Sequence, residues 1–204
     1  MNYKQGAMFG LDARIALAIF GALSVISGAA LYSAIQNAKV TAIITEMNEV
    51  TKAHEAYLLD TANFLPLWNT SLHTTHIKNL ISNDSSASNW NGPYLPYSTT
   101  VDYVLKHSVY DNIIIYRIND DTANWGGTEG TDFTSYGGCV VGTTSKCNYY
   151  TVFEFIPKDI AEEIDKQIDG SVDYKAGNLR IRLYTAGAQS GKATVFLKTL
   201  NQKV

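Results

Sequence analysis

The chain has 204 residues, 16 of them Lys or Arg and 19 Asp or Glu, for a formal net charge of −3. No basic surplus is available to neutralise phosphates, which argues against nucleic acid as a partner. Charged residues make up only 17 % of the chain against roughly 25 % in ordinary soluble domains, a composition common in extracellular surface proteins.

The chain opens on a short polar piece, Met-Asn-Tyr-Lys-Gln-Gly-Ala, carrying Lys4. Met8-Phe9-Gly10-Leu11-Asp12 follows, and then Arg14. From Ile15 to Ile35 no charged residue occurs. A helix of that length crosses a bilayer core of about 30 Å. A cleaved secretory signal would show a shorter apolar region, a small-residue cut site and a break in structure. Here the helical pattern continues, with Val40, Ile43, Ile44, Met47, Val50, Tyr57 and Leu58 near a 3.6-residue period. One helix is therefore predicted from about Arg14 to Asp60, roughly 70 Å long. Glu46, Glu49, Lys52 and Glu55 are expected on its wet face and the apolar stripe on a domain. Pro66 biases Leu65 towards extended backbone and ends the run.

These N-terminal residues resemble the class III leader of type IV prepilins and type II secretion pseudopilins. In that family a basic leader ends in Gly, a hydrophobic residue becomes the new N-terminus, and Glu follows at the fifth mature position. Aligning Asp12 with that Glu makes Met8 the first mature residue, puts the cut after Ala7 and sets Gly21 on the glycine usual nine residues later. Cleavage after Gly6 or Gly10 restores the glycine but moves the acid out of register. Ala7 for Gly, Asp12 for Glu, and Arg14 within a normally apolar stretch depart from the pattern. The resemblance implies that Asp12 pairs with the α-amine of a neighbouring subunit and sets register in a filament. The residues alone allow Asp12 and Arg14 to be interface flanks, with Lys4 and Arg14 favouring a cytoplasmic N-terminus. Gly21, Gly28, Ala29 and Ala30 offer small surfaces for close helix packing.

The stretch from Ala53 to Pro66 resembles the helix exit of type II secretion major pseudopilins. Asn89-Trp90-Asn91-Gly92-Pro93-Tyr94-Leu95 resembles their Trp-x-Gly-Pro-Tyr-Leu segment, and read alone it is a Gly-Pro turn with two aromatic anchors. The family's calcium-loop pattern is not recognisable. Asp120, Asp121, Asn124, Glu129 and Asp132 lie among glycines without EF-hand spacing, and a solvated turn-rich loop is expected rather than a metal site. Cys139 and Cys147 have no second pair to complete a zinc site, and a small disulfide loop is expected.

Strands are predicted at 112–118, 149–156, 178–185 and 194–200, all rich in β-branched and aromatic residues. Between the second and third, Pro157 suits a first helical turn, Ile160, Ile164 and Ile168 form an i, i+4, i+8 stripe, and Gly170 suits a C-terminal cap. The segment from Ile168 through Asp169-Gly170 to Asn178 resembles a turn and strand of several minor and type IVb pilins. No catalytic constellation emerges. His73 and His76 share the spacing of a helical metal pair but have Thr74 and Thr75 between them and no acidic third ligand, so a polar loop is expected. There is no nucleophile motif or phosphate-cradling loop. A non-enzyme without cofactors is expected.

The expected architecture is α+β: a leader at 1–7, a transmembrane and filament-core helix at 8–35, an amphipathic half and exit at 36–66, and a head at 67–204. The head is expected to be a small antiparallel sheet with one further short helix. The family resemblance implies partners in identical or related pilin subunits, a prepilin peptidase and an inner-membrane assembly platform. It also implies an inner-membrane anchor with the N-terminus cytoplasmic and the head periplasmic, and then a filament. The competing reading is a monomeric, signal-anchored binding protein.

Overall fold

The structure, a computed structural model, describes residues 6–69, 73–99, 101–119, 124–139 and 146–203. Two compact units divide the chain, residues 1–39 and residues 40–204. Helix α1 (Gly6–Thr61) contains 56 residues, about 84 Å at the standard rise. It begins upstream of the predicted Arg14, where Ala7, Met8 and Leu11 favour a helix against Gly6 and Gly10. It stops before Pro66, where Ala62 takes a left-handed conformation (φ 53°). There the Thr61 hydroxyl donates to the Tyr57 carbonyl at 2.8 Å, and the Asn63 side chain donates to the Thr61 carbonyl at 2.7 Å.

The second unit is a mixed sheet of eight strands: β1 (Leu67–Asn69), β2 (Thr74–Thr75), β3 (Leu105–Lys106), β4 (Asn112–Asn119), β5 (Gly127–Thr128), β6 (Lys146–Pro157), β7 (Leu179–Leu183) and β8 (Lys192–Lys203). Their order is β1-β2-β4-β6-β8-β7-β5, with β3 also on β4. The sheet is not wholly antiparallel as predicted, since β5 runs parallel to β7. The four predicted strands correspond to β4, β6, β7 and β8. The other four are two or three residues long, too short to carry a readable period.

Both faces of the sheet are covered. On one, Ile113, Ile115, Tyr149, Phe153, Ile181 and Val195 pack with the second half of α1. The helix contributes Val40, Ile43, Met47, Val50, His54, Tyr57 and Thr61, all buried. Their spacing alternates three and four residues, which keeps one stripe against the sheet. On the other face, Ile114, Ile118, Tyr150, Val152 and Phe196 lie beneath Trp125 and Val104.

Helix α2 (Lys158–Asp169) follows β6 directly. Pro157 stands at its N-cap, just outside the helix rather than within the first turn, and Gly170 closes it at φ 83°. Ile160 and Ile164 are buried and Ile168 is partly buried against the core. Asp169 then accepts the backbone N–H groups of Asn178 and Leu179 at 3.0 and 2.7 Å, tying the helix end to the start of β7.

Candidate functional site

The first unit is apolar helix without cover. Leu17, Phe20, Val25 and Ile26 are each at least 65 % exposed. Isolated apolar residues on a surface are ordinary, but a continuous all-round set needs lipid or other helices around it. This segment is long and apolar enough to cross a membrane. Asp12 and Arg14 are exposed at its start. Gly21 and Gly28 stand on open surface, since a Cβ at either would meet nothing within 4 Å. The Ser24 hydroxyl donates to the Phe20 carbonyl at 2.8 Å, satisfying itself within the helix. Gly6, Ala7, Met8 and Gly10 all lie inside α1, whereas Lys4 falls outside the described residues.

In the second unit, the Trp90–Leu95 segment fastens the end of α1. The Trp90 indole N–H donates to the Asn79 carbonyl at 2.7 Å, and the Tyr94 hydroxyl donates to Asp60 on the last turn of α1 at 2.8 Å. Tyr94 also meets Tyr57 and Trp90 edge to face, with centroids 6.1 and 5.7 Å apart. Gly92 lies between the two aromatics, and a Cβ there would stand 2.5 Å from the Trp90 ring. A second tie departs from expectation: Glu46, predicted on the wet face, is half-covered and bonds the His107 imidazole at 2.6 Å. The partners are 61 positions apart, so no local pattern signals the pair.

Cys139 and Cys147 are buried and stand at disulfide distance, with Cα atoms 5.7 Å apart. Residues 140–145 between them lie outside the described residues. In the acidic loop, Asn124 adopts φ 61°, Glu129 forms an ion pair with Arg182, and Asp132 pairs with Lys175 at 3.2 Å. Asp132 also accepts the Thr128 N–H at 2.8 Å, and these contacts hold its carboxyl below the usual carboxylate range. Asp120 and Asp121 lie outside the described residues. His73 and His76 flank β2 instead of sharing a helical face, and the His73 ring packs against Gly138. Among the described residues, no group of three or more His, Cys, Asp or Glu is placed to hold a metal.

The head also carries an open cleft of about 320 Å³ lined by Tyr103, Tyr116, Tyr136 and Glu154. Sequence reading missed it because the lining residues come from separate strands and loops. The one available signal is Glu154 within the apolar run YYTVFEFI. No family model, curated protein or solved structure matches the chain.

Proposed function

We propose that the chain is a structural subunit of a bacterial type IV pilus or type II secretion pseudopilus, assembled through its N-terminal helix. The observation that carries this reading is the two-part character of α1: exposed apolar residues in its first part, and a stripe buried in the head's core from Val40 to Thr61. A bilayer satisfies the first part before assembly, and neighbouring helices satisfy it afterwards. Lipid tails are as apolar as leucine, so helices leaving a membrane gain only by close packing and interhelical hydrogen bonds. Gly21 and Gly28 permit such approach. Asp12 is costly in lipid unless paired, and a neighbour's α-amine would pair it. The fastening of the helix end by Trp90 and Tyr94 also supports the resemblance that this segment carries.

In this reading the leader is removed after Gly6, Ala7 or Gly10 by a prepilin peptidase, and the head stands outside the cytoplasm. The cleft favours the second reading, a monomeric anchored binding protein. Intact mass and N-terminal sequencing of protein from native membranes separate the two. A new N-terminus at Ala7, Met8 or Leu11 together with sheared filaments supports the subunit; a retained Met1 and no filament supports the monomer. Gly28→Leu makes the span more apolar and should leave membrane abundance unchanged. Loss of a packing contact of about 1 kcal/mol should lower sheared filament yield roughly fivefold. Asp12→Ala should also reduce incorporation while the anchored form persists. Normal filament yield from both variants would remove the small-residue surface and the acid from the mechanism.

A further inference from the structure

The second face of the sheet gathers chemistry that the core does not need. Across β4 and β6, Ile113 pairs with Phe153 and Ile114 with Val152. This register puts Asn112, Ile114 and Tyr116 on one face together with Glu154. Thr74 of β2 lies opposite Tyr116 and joins them. Tyr103, Lys106 and Tyr136 complete the lining of a cleft of about 320 Å³. That volume is at the small end of the range for ligand sites, about 300–1,000 Å³.

Three features distinguish the cleft from an accidental gap. First, Thr74 is only 3 % exposed, lines the cleft, and its hydroxyl has no hydrogen-bond partner among the described residues. A buried hydroxyl without a partner is costly, and a ligand hydroxyl entering the cleft would supply one. Second, the polar groups are organised in a row. The Lys106 ammonium donates to the Asn112 side-chain carbonyl at 2.5 Å and pairs with Asp111 at 3.3 Å. The Asn112 amide in turn donates to Glu154 at 2.6 Å. Third, the backbone is distorted immediately beside Glu154. Phe155 adopts φ 59° where the β6–β8 register shifts between Phe153 and Ile156. A bulky residue in that region is an outlier, and bulges and stored strain are frequent where a strand re-aims a functional side chain.

The lining also selects the ligand class. Tyr103 is held by a close tilted contact with Trp68, with centroids 4.1 Å apart and planes 32° off parallel, and offers a flat apolar surface. Lys106 opposes a cationic ligand and Glu154 an anionic one, so neither charge sign is favoured. Burial raises the Glu154 carboxyl above its ordinary range, which further weakens any demand for a cation. Groups that both donate and accept fit this mixture best.

We infer that the cleft binds a single neutral sugar ring, with an apolar face of the ring on Tyr103 and hydroxyls bonded to Thr74 and Glu154. The inference stands on the head alone and holds for either an assembled subunit or an anchored monomer.

The experiment uses the full chain in a polyoxyethylene detergent, which carries neither a sugar nor an ammonium headgroup. Saturation-transfer NMR is recorded with D-glucose, D-galactose and N-acetyl-D-glucosamine, and separately with tetramethylammonium. At least one sugar should receive saturation from the protein. Glu154→Gln and Thr74→Val, both close in shape to the native residues, should each weaken that sugar roughly tenfold, as loss of a buried hydrogen bond implies. Tyr103→Ala should abolish it. Melting curves establish that each variant is folded, and if Tyr103→Ala is not, the other two decide. Absence of saturation for all three sugars at millimolar concentration overturns the inference. So does sugar binding unchanged in Glu154→Gln and Thr74→Val, or saturation of tetramethylammonium alone.

Discussion

Gly92 occupies a position where any side chain must displace an aromatic ring. A Cβ there would lie 2.9 Å from Tyr94 as well as against Trp90. Neither ring is free to yield, because the Trp90 N–H is committed to Asn79 and the Tyr94 hydroxyl to Asp60. Gly92→Ala should therefore destabilise the head by about 1–3 kcal/mol, the usual cost of overpacking. Urea unfolding measures it, and an unchanged midpoint would show that the clamp is loose. Two other residues make stability depend on pH in opposite senses. His54 is buried, its imidazole meets Tyr149 edge to face, and burial lowers its pKa to about 3. The unfolded chain binds that proton near pH 6.5, so stability contributed by neutral His54 is lost as pH falls from 6.5 towards 3. Asp165 is buried at the base of α2, and desolvation raises its carboxyl to about 6, with the Asp173 N–H bond opposing the shift. Here the folded state holds the proton more tightly, so stability is lost as pH rises from about 4 to 6. His54→Phe should flatten the acid loss, and Asp165→Asn should flatten the loss between about pH 4 and 6. Thermal melts between pH 3 and 8 test both, and unchanged pH profiles would show that neither group is linked to folding.

At the scale of single elements, the buried stripe of α1 covers one face of the sheet and completes the larger core. Met47 sits mid-stripe with no exposed surface. Met47→Ala should cost about 2–5 kcal/mol, the range for emptying a well-packed core site, whereas Glu49→Ala on the exposed side should cost little. Equal effects in denaturant unfolding would mean that the stripe is not the packing face. Much of this stripe was legible, because Val40, Ile43, Met47, Val50 and Tyr57 repeat at helical spacing. His54 and Thr61 complete it but are polar, and hydrophobic pattern alone passes over them. Strand β4 was legible as the run NIIIYRI because apolar residues on both faces answer to a sheet covered on both sides. The short strands were not, since two or three residues carry no readable period, and β2 and β5 also depend on pairing with the distant β4 and β7. The cleft was invisible for the same reason: Thr74 and Glu154 become neighbours only through the register linking β2, β4 and β6.

For the whole molecule, the division at Lys39 and Val40 separates a segment that needs lipid or helices around it from one that carries its own core. A fragment starting near Gln36 retains the entire buried stripe. It should be soluble and monomeric in ordinary buffer, and it should melt like the head of the full chain. An insoluble or unfolded fragment, judged by sedimentation and circular dichroism, would place the boundary elsewhere. Within that head, α2 and the Asp169 contacts at its end lie between two large parts of the sheet in sequence. They are not the route by which those parts join.

The join is β8. Although it follows all other strands in the chain, it lies between β6 and β7, and β7 alone carries β5. Until β8 inserts, the β7–β5 pair has no edge to dock on, and the sheet face that packs with α1 lacks Val195 and Leu197. The separations set the order: β7 and β8 pair across 10 to 18 positions, whereas β4 with β6 and β6 with β8 span 28 to 57, so the sheet closes when the β7–β8 hairpin docks on β6. Such long-range closure is slow compared with local pairing. A chain folding from its N-terminal side would spend that interval with the stripe on α1 uncovered, because Val195 and Leu197, part of the core that covers it, arrive last.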